Sequence, residues 1–333
     1  MRPISGFSGC AARSRMNDAL APLLASSPGS GPPGSPNLSP KVFGRASTAA
    51  PQPLFVVGRG NLGRTLARAF RAAGYRAELL PARKGIEGLV RRLRSAPDAI
   101  AFLAVPDDAV LSTAGQLARA GRPIPDSVAF VHLSGALPLG ALEPLRATHP
   151  IGSFHPLQSF PEPRAPASLR GVVVAVDASS PLLMRRLSSL ARAVGARPKR
   201  VGDSSRPLYH AAAVFASNYV DVLLGEGVRL LQAAGWSEKE ASAGLLALTE
   251  GTLASVRKRG VAAALTGPVR RGDVNTVKRH LDSLSGPAAD LYRMLGLIAL
   301  EIAVEAGLEP AAAGRMHRAL TEKTAATRRR RRA

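Results

Sequence analysis

Cysteine is almost absent from this chain of 333 residues, which contains Cys10 alone. A single thiol excludes an intramolecular disulfide framework and a cysteine-based metal site, and it suits a reducing compartment. The sequence therefore predicts a cytoplasmic location. Long apolar runs are lacking as well, because the best candidate, residues 291–307, contains Arg293, Glu301 and Glu305. This segment predicts a buried amphipathic helix, and no membrane association is expected.

Acidic and aromatic residues are scarce beside the cations. The formal net charge is +22, from 45 Lys and Arg against 23 Asp and Glu, and aromatic residues make up 4% of the chain. Part of the excess lies in residues 1–53 and in the five arginines of residues 328–332, and the rest is spread over many segments. No helix-turn-helix, zinc-finger or RNA-binding aromatic motif is visible, so we expect no specific nucleic-acid partner. Non-specific contact of the arginine tail with nucleic acid stays an alternative.

The two ends of the chain differ in composition from its body. Residues 26–40 read SSPGSGPPGSPNLSP, and such a stretch of Ser, Pro and Gly cannot build a core. We expect a disordered N-terminal extension over residues 1–53 and a basic disordered tail over residues 326–333. A transit peptide, a disordered tail and a start codon placed too far upstream all fit the N-terminal composition.

A glycine-rich turn between a predicted strand and a predicted helix is the most informative motif. Residues 54–66 read LFVVGRGNLGRTL. Gly58 permits the tight turn, Gly60 lets a pyrophosphate approach the backbone, and Gly63 lets the helix pack closely on the sheet. The helix N-terminus adds unpaired N–H groups and a partial positive charge. The motif predicts a dinucleotide site, and the predicted cofactor contacts in this turn are Gly58, Arg59, Gly60, Asn61, Leu62 and Gly63.

The end of the second predicted strand bears on the choice between NAD and NADP. NAD sites usually carry Asp or Glu there, to hold the ribose 2′-hydroxyl. This chain has Leu80-Pro81-Ala82 followed by Arg83 and Lys84, and Glu78 lies two residues too early. A missing carboxylate followed by two cations favours NADP over NAD, with Arg83 and Lys84 near the 2′-phosphate. The alternative is that both are ordinary solvated loop charges.

The third predicted strand ends in polar residues. Residues 98–105 (DAIAFLAV) are nearly all apolar, as expected for a parallel strand covered on both faces. The carboxyl ends of such strands border the crevice where ligands bind, so Val105, Pro106 and Asp107 are further predicted cofactor contacts. We also expect Asp107 or Asp108 to N-cap the helix that follows.

Two later strands carry candidate site residues at their ends. Ser134 follows the buried strand 127–133, and His155 stands between Phe154 and Pro156. His155 either points into the site or is a hydrogen-bonded structural histidine.

Beyond Pro207 the strand patterns vanish and apolar-periodic segments, separated by glycines, take over. We therefore predict an α/β domain over residues 54–203, with a parallel sheet between helices, and a helical domain over residues 204–325. The substrate would lie in the cleft between them.

Two segments of the helical region carry candidate polar groups. His210, Ser217 and Asn218 fall toward one side of a predicted helix over residues 207–234, where they would face either a substrate or a neighbouring helix. In residues 265–273, LTGPVRRGD, Thr266 and Arg270 could hold a carboxylate or phosphate, and Asp273 is predicted to cap the next helix. Equally, Gly267-Pro268 is only a helix break.

These motifs occur in the order found in a known family. They are residues 58–63, 104–108, 132–135, 155–158, 209–213 and 265–273. Together they resemble the Rossmann-like proteins that carry a C-terminal helical domain of unknown function, relatives of pyrroline-5-carboxylate reductase, ketopantoate reductase and the beta-hydroxyacid dehydrogenases. The resemblance spans about residues 54–320. It implies NADP binding, a homodimer through the helical domain and reductase activity on an unassigned small molecule.

The chain departs from the beta-hydroxyacid dehydrogenases at their acid–base residue. Those enzymes use a lysine on the first interdomain helix, and this chain has none between Arg206 and Gly235. His210 is the nearest substitute, since histidine titrates near neutrality. The hypothesis is hydride transfer from NADPH to a small C=O or C=N substrate, with His210 as proton donor and Ser134, Asn218 and Thr266 positioning the substrate.

Two alternatives stay open. An iminium substrate arrives already protonated, so chemistry like that of pyrroline carboxylate reduction needs little acid–base help from the protein. A non-catalytic NADP-binding sensor or scaffold would also share this fold, because fold does not fix function.

Overall fold

Seven short strands form one sheet in the order β2-β1-β3-β4-β5-β6-β7. The computed structural model describes residues 52–82, 86–120 and 124–322. Neighbouring strands are parallel except β5 and β6, which are antiparallel. The strands are β1 (Leu54–Val57), β2 (Ala77–Leu80), β3 (Ile100–Leu103), β4 (Ala129–His132), β5 (Ile151–Pro156), β6 (Val173–Ala178) and β7 (Arg197–Arg200).

Helices and short turns cover both faces of this sheet, so its strands are buried on both sides. Phe70, Phe102 and Phe154 pack together on one face, with ring centroids 5.1 to 6.1 Å apart, while Leu89 and Leu103 lie in the core of the other face. The predicted α/β, Rossmann-like class is confirmed. The helices of this region are α1 (Asn61–Ala72), α2 (Ile86–Arg94), α3 (Asp107–Ala118), α4 (Glu143–Arg146) and α5 (Pro181–Ala193).

The β5–β6 pair departs from an all-parallel sheet. Between Pro156 and Val173 the chain forms a loop with a short 3₁₀ turn at Pro166–Leu169, with no crossover helix. Parallel neighbours are usually joined by a crossover helix, and this loop, which lacks one, returns the chain antiparallel to β5.

After β7 the described chain consists of helices and their connecting turns, with no further strand. The predicted helix over residues 207–234 is in fact two helices, because the backbone leaves the helical region at Ser217, with φ −127° and ψ −79°. Ser217 and Asn218 are residues whose side chains compete for backbone hydrogen bonds, which weakens a helix interior. The helices are α6 (Arg206–Ala216), α7 (Asn218–Ala233), α8 (Glu238–Arg259), α9 (Val261–Ala264), α10 (Gly267–Arg271), α11 (Val274–Ser283), α12 (Gly286–Glu305) and α13 (Pro310–Thr321).

The predicted helix caps had mixed outcomes. The prediction that Asp107 or Asp108 caps α3 is wrong, because the helix already begins at Asp107 and its N-cap is Pro106, which has no side-chain hydrogen bond to offer. Asp107 is instead free to accept a hydrogen bond from another strand end. The predicted Asp273 cap is confirmed, since its side chain accepts from the Thr276 N–H.

The first three helices of this region pack loosely against the rest of the chain. Of their residues only Arg206 and Ala241 are buried. Helices α10 to α13, in contrast, enclose a small core around Val277, Leu300 and Met316.

Within the residues that the structure describes, no helix has both the length and the apolar character required to cross a membrane.

Candidate functional site

The glycine-rich turn has the close backbone contacts that its sequence predicts. Gly58 has φ +124°, and a Cβ atom there would lie 2.0 Å from the Ala104 carbonyl oxygen. A Cβ atom at Gly63 would lie 2.2 Å from the Gly58 carbonyl oxygen, so α1 can begin this close to β1 only without a side chain. Nothing lies within 4 Å of the corresponding position at Gly60. Open space therefore remains above the α1 N-terminus, where a pyrophosphate would approach the backbone.

This turn lies where the strand order reverses. The chain runs from β1 outward to β2 and then returns past β1 to β3, so the crevice at the carboxyl ends of β1 and β3 is the topological switch point. Beside it, at the carboxyl end of β3, lies a cavity of about 870 Å³, lined by Ala82, Val105, Pro106 and Asp108 among others. The predicted cofactor contacts Val105 and Pro106 thus border a cavity large enough for part of a dinucleotide. Arg83 and Lys84 lie outside the described residues.

Other predicted contacts have roles within the protein. The Asn61 side-chain amide donates to the Phe160 and Pro161 carbonyl oxygens, at 3.0 and 2.8 Å. Leu62 packs against the sheet core, and the Arg59 carbonyl accepts from Arg64 at 2.7 Å. Asn61 therefore holds the segment after β5 against the first turn of α1.

Ser134 links the carboxyl ends of the central strands β3 and β4. It is buried, and its hydroxyl donates to Asp107 Oδ2 at 2.7 Å while accepting from the Ala136 and Leu137 N–H groups, each at 3.1 Å. Both its proton and its acceptor capacity are thus used within the protein. Ser134 fixes the turn after β4 to the N-terminus of α3.

His155 lies directly against that turn and forms a hydrogen bond with the helical region. A Cβ atom at Gly135 would lie 2.8 Å from the His155 ring, so only glycine admits the ring there. His155 Nδ1 is 2.7 Å from the Tyr209 hydroxyl, and the two rings meet edge to face at 5.6 Å. Contacts therefore run without a break from Asp107 through Ser134, Gly135 and His155 to Tyr209.

A second cavity, of about 420 Å³, opens at the end of this path. Its lining includes His155, Tyr209, His210, Ser217 and Asn218. His210 Nδ1 is buried and has no hydrogen-bond partner among the described residues. The structure thus brings His210 and Asn218 together in one cavity, although a helix break separates them.

Two titratable groups of the cavity, His155 and Tyr209, are held in their neutral forms. Burial lowers the pKa of His155 to about 4, helped by the positive charges of His210 and Arg206 and opposed by Asp107. Burial also raises the pKa of Tyr209 to about 12, partly opposed by Arg206. Near neutral pH the pair is thus an uncharged imidazole and a phenol that keeps its proton.

A buried cation lies beneath the cavity. Arg206, the first residue of α6, is fully buried, bonds to the Ser153 hydroxyl and lies 3.2 Å from Asp203. Ser153 and His155 lie two residues apart on β5 and so share a face, while Arg206 and Tyr209 lie three apart on α6. Two polar contacts therefore hold α6 on β5.

Thr266 lies in a different place. It lines another cavity, with Arg259, Arg270 and Arg271, at the junction of α9 and α10. Arg270 donates to the Ala306 carbonyl at 2.8 Å. Within one chain, Thr266 does not line the cavity that contains His210 and Asn218.

Sequence reasoning passed over two residues that the structure places at the site. In the sequence, Tyr209 stood out only as part of the motif at residues 209–213, and Arg206 only as the start of the segment that lacks lysine. The available signal was spacing: Tyr209 and His210 lie three and four positions after Arg206, so both are on the same side of the helix as Arg206.

Comparisons with known proteins support the fold. A family model described as a domain of unknown function, DUF2520, matches residues 172–299. No curated protein matches the chain. A protein assigned provisionally as an NADP oxidoreductase, from Bacteroides fragilis, has 23% identity and a TM-score of 0.58 over 76% of this chain and 98% of its own. Protein TM1727 from Thermotoga maritima has 21% identity and a TM-score of 0.59, with the same coverage.

A third solved structure extends this likeness. A semialdehyde dehydrogenase NAD-binding protein from Cupriavidus necator, in complex with calcium and NAD, has 17% identity and a TM-score of 0.51. The alignment covers 75% of this chain and 98% of that one. These likenesses establish a shared fold, in agreement with the resemblance drawn from the motifs.

Proposed function

We propose that this protein is an NADP-dependent oxidoreductase that transfers a hydride between the nicotinamide and a small C=O or C=N substrate. The observation that carries the proposal is the continuous path of contacts from the switch-point crevice to the polar cavity around Tyr209 and His210. Proteins of the same fold that are described as NADP or NAD binders support it.

The residues at the crevice fit a dinucleotide. Gly60 leaves open space at the N-terminus of a twelve-residue helix, whose first N–H groups and dipole favour a phosphate. Val105, Pro106 and Asp107 border the crevice from β3. Bound NADPH supplies the hydride, and the chain's part is to orient it and to exclude water.

Arg83 and Lys84 are proposed to distinguish NADP from NAD. Both follow β2, whose end carries no carboxylate, and their charges would attract the 2′-phosphate. We expect the double variant Arg83→Ala, Lys84→Ala to lose NADPH affinity at least tenfold while NADH affinity changes less than twofold. Equal losses for the two nucleotides would contradict this role.

The substrate is proposed to occupy the cavity of about 420 Å³, a volume suited to a small molecule. His210 and Asn218 line it, and the ring of His210 can contact a substrate there. Ser134 does not line the cavity and is proposed to act on it indirectly, by fixing the turn at Gly135 against His155. His210 as proton donor stays the hypothesis from the sequence, and Thr266 would have to reach this cavity from another chain.

Converging polar groups in the cavity favour catalysis over the alternative of an NADP sensor or scaffold. A site without turnover would be expected to hold apolar packing beside the nicotinamide, whereas His155, Tyr209 and His210 all line this cavity. A non-catalytic NADP sensor or scaffold is therefore the second candidate function.

We also propose a homodimer formed through the helical region. Large apolar side chains are exposed along α6, α7 and α8. Many exposed large apolar side chains on neighbouring helices favour a protein interface. The exposed apolar side chains of these helices include Leu208, Phe215, Tyr219, Leu223, Leu246, Leu248 and Leu253. Light scattering is expected to give twice the chain mass of 34.7 kDa.

The first experiment is a titration of the purified protein with NADPH and NADH, followed by nicotinamide fluorescence. We expect tighter binding of NADPH, and loss of binding in Gly60→Asp, because a carboxylate would fill the open space and repel the phosphates. A screen of small aldehydes, keto acids and cyclic imines for NADPH oxidation follows. Failure to bind either nucleotide would refute the proposed function.

A further inference from the structure

The His155–Tyr209 pair has a counterpart elsewhere in the chain that shows what is distinctive about it. His280 Nδ1 lies 2.8 Å from the Tyr292 hydroxyl, and those rings also meet edge to face, at 5.7 Å. The Tyr292 pair lies on α11 and α12, where Tyr292 packs on the small helical core. A histidine–tyrosine contact is therefore by itself an ordinary structural device in this protein. The Tyr209 pair differs because both of its residues line a cavity.

We propose that Tyr209 is the proton donor of the reductase, that His155 positions and reprotonates it, and that the substrate is an aldehyde or ketone. The inference rests on the proposed function and replaces His210 as donor. It is carried by the contact between His155 and Tyr209 at the cavity wall, and by the path that joins them to the cofactor crevice.

The proton balance requires a neutral imidazole next to the phenol. As a hydride adds to the carbonyl carbon, the C=O electron pair moves to oxygen. The Tyr209 O–H bond breaks and its proton forms the alcohol O–H bond. The resulting phenolate takes the Nδ1 proton of His155 as His155 Nε2 takes a proton from water, and the hydroxide left behind is neutralised in bulk solvent. The imidazole ends neutral, with its proton on the other nitrogen.

Electrostatics favours a carbonyl over an iminium substrate. Buried Arg206 lies on the same face of α6 as Tyr209, and Asp203 on its other side accepts one of its contacts at 3.2 Å. Burial raises the pKa of Tyr209 and lowers that of His155, and the Arg206 charge acts to lower both. A positive potential stabilises the negative charge that develops on a carbonyl oxygen, and it opposes a cationic iminium. An iminium also needs no proton from Tyr209.

His210 then serves as a substrate-binding group. Its side chain lines the cavity, where the polar ring can bond to the substrate. Loss of His210 is expected to raise KM more than it lowers kcat.

A measurement without cofactor tests the state of the phenol. With [¹³Cζ]-tyrosine, the Cζ resonance reports ionisation, and the signal of each of the four tyrosines is assigned by Tyr→Phe variants. We expect the Tyr209 signal to stay phenolic at pH 10.5 and to shift in His155→Gln. A Tyr209 signal that is already phenolate at pH 10.5, and that does not change in His155→Gln, would overturn the pair as described.

The second measurement is NADPH oxidation with a panel of C2–C5 aldehydes and keto acids, and in parallel with 1-pyrroline. We expect Tyr209→Phe to lower kcat for carbonyl reduction at least 100-fold with unchanged NADPH affinity. Tyr292→Phe, the matched control, should leave kcat within twofold. His155→Gln should lower kcat about tenfold and alter its pH profile.

The outcomes separate the two claims. Full carbonyl reduction by Tyr209→Phe overturns the Tyr209 assignment and leaves the oxidoreductase intact. Faster reduction of 1-pyrroline than of every carbonyl compound overturns the substrate class. A wild-type protein that oxidises NADPH with neither class refutes the proposed function itself, and the Tyr209 assignment with it.

Discussion

The sheet and the first three helices after it use apolar residues in opposite ways. In the sheet, Phe102, Phe130 and Phe154 are fully buried between covering helices. Along α6 to α8, Leu208 is 79% exposed, Leu248 67% and Phe215 63%. The sheet region therefore obtains its stability from its own packing, whereas α6 to α8 keep an apolar surface whose burial requires a partner.

The strongest test of this contrast is a pair of phenylalanine truncations. Phe102→Ala removes a ring that contacts Phe70 and Phe154, and we expect it to lower the free energy of unfolding by about 4 kcal/mol. Phe215→Ala should cost less than about 1 kcal/mol in the dissociated chain. Urea unfolding at low protein concentration measures both. Similar losses would show that α6 is packed as tightly as the sheet.

A second pair of variants compares two glycines of one turn. Gly58→Ala would place a methyl group 2.0 Å from the Ala104 carbonyl oxygen at a φ of +124°, and we expect a loss of about 3 kcal/mol. Gly60→Ala meets open space and should leave the melting temperature unchanged while weakening NADPH binding. Should the two variants melt alike, the close approach of β1 to β3 is not the reason for Gly58.

Acid should destabilise the sheet region through His132. This residue is fully buried on β4, and burial, followed by the charge of Arg206, lowers its pKa from 6.5 to about 4. The unfolded chain thus binds the proton more tightly than the folded chain. The contribution of neutral His132 to the free energy of unfolding is therefore fully present above pH 6.5 and is lost as the pH drops toward 4. Between pH 7 and pH 5 the loss from this residue is about 2 kcal/mol.

His132→Leu provides the check, because it removes the titrating group from the same strand. We expect its free energy of unfolding to fall less between pH 7 and pH 5 than that of the wild type. An identical slope in both proteins would assign the acid sensitivity to other groups, such as His155.

The smallest effect on folding is expected on the outer surface of α8. Leu248→Ser should change the free energy of unfolding of the dissociated chain by less than about 0.5 kcal/mol. It should nevertheless weaken self-association, which sedimentation velocity over a concentration series measures. A stable dimer in this variant would place the interface elsewhere.

The parts of the fold that depend on local pattern could be predicted from the sequence. The glycine spacing at 58–63 predicted the turn, because side chains at Gly58 and Gly63 would clash with neighbouring backbone. The helix break at Ser217 was missed because apolar periodicity continues across it. The antiparallel β5–β6 pair was missed because strand direction depends on the connection, and the sequence of residues 157–172 does not show where the chain returns.

The candidate site was only partly predictable for a related reason. His210 and Asn218 line one cavity although a helix break separates them, and their part in catalysis stays a prediction. Tyr209 is a candidate site residue because its hydroxyl bonds to His155, which lies 54 positions earlier in the chain. Asp107 was expected to cap a helix, yet its partner Ser134 lies on the next strand end. Pairings across such separations depend on how strands and helices pack, which local patterns do not encode.

The hydrogen bonds between α1 and the segment after β5 have a consequence for local opening of the chain. Asn61 bonds to the Phe160 and Pro161 carbonyls, and the Arg164 N–H donates to Thr65 at 2.9 Å. Residues 157–165 can therefore open to solvent only when they separate from the first turns of α1. Amide hydrogen exchange in this segment should slow when a nucleotide occupies that turn, so it reports cofactor occupancy from a segment about 100 positions away in the chain.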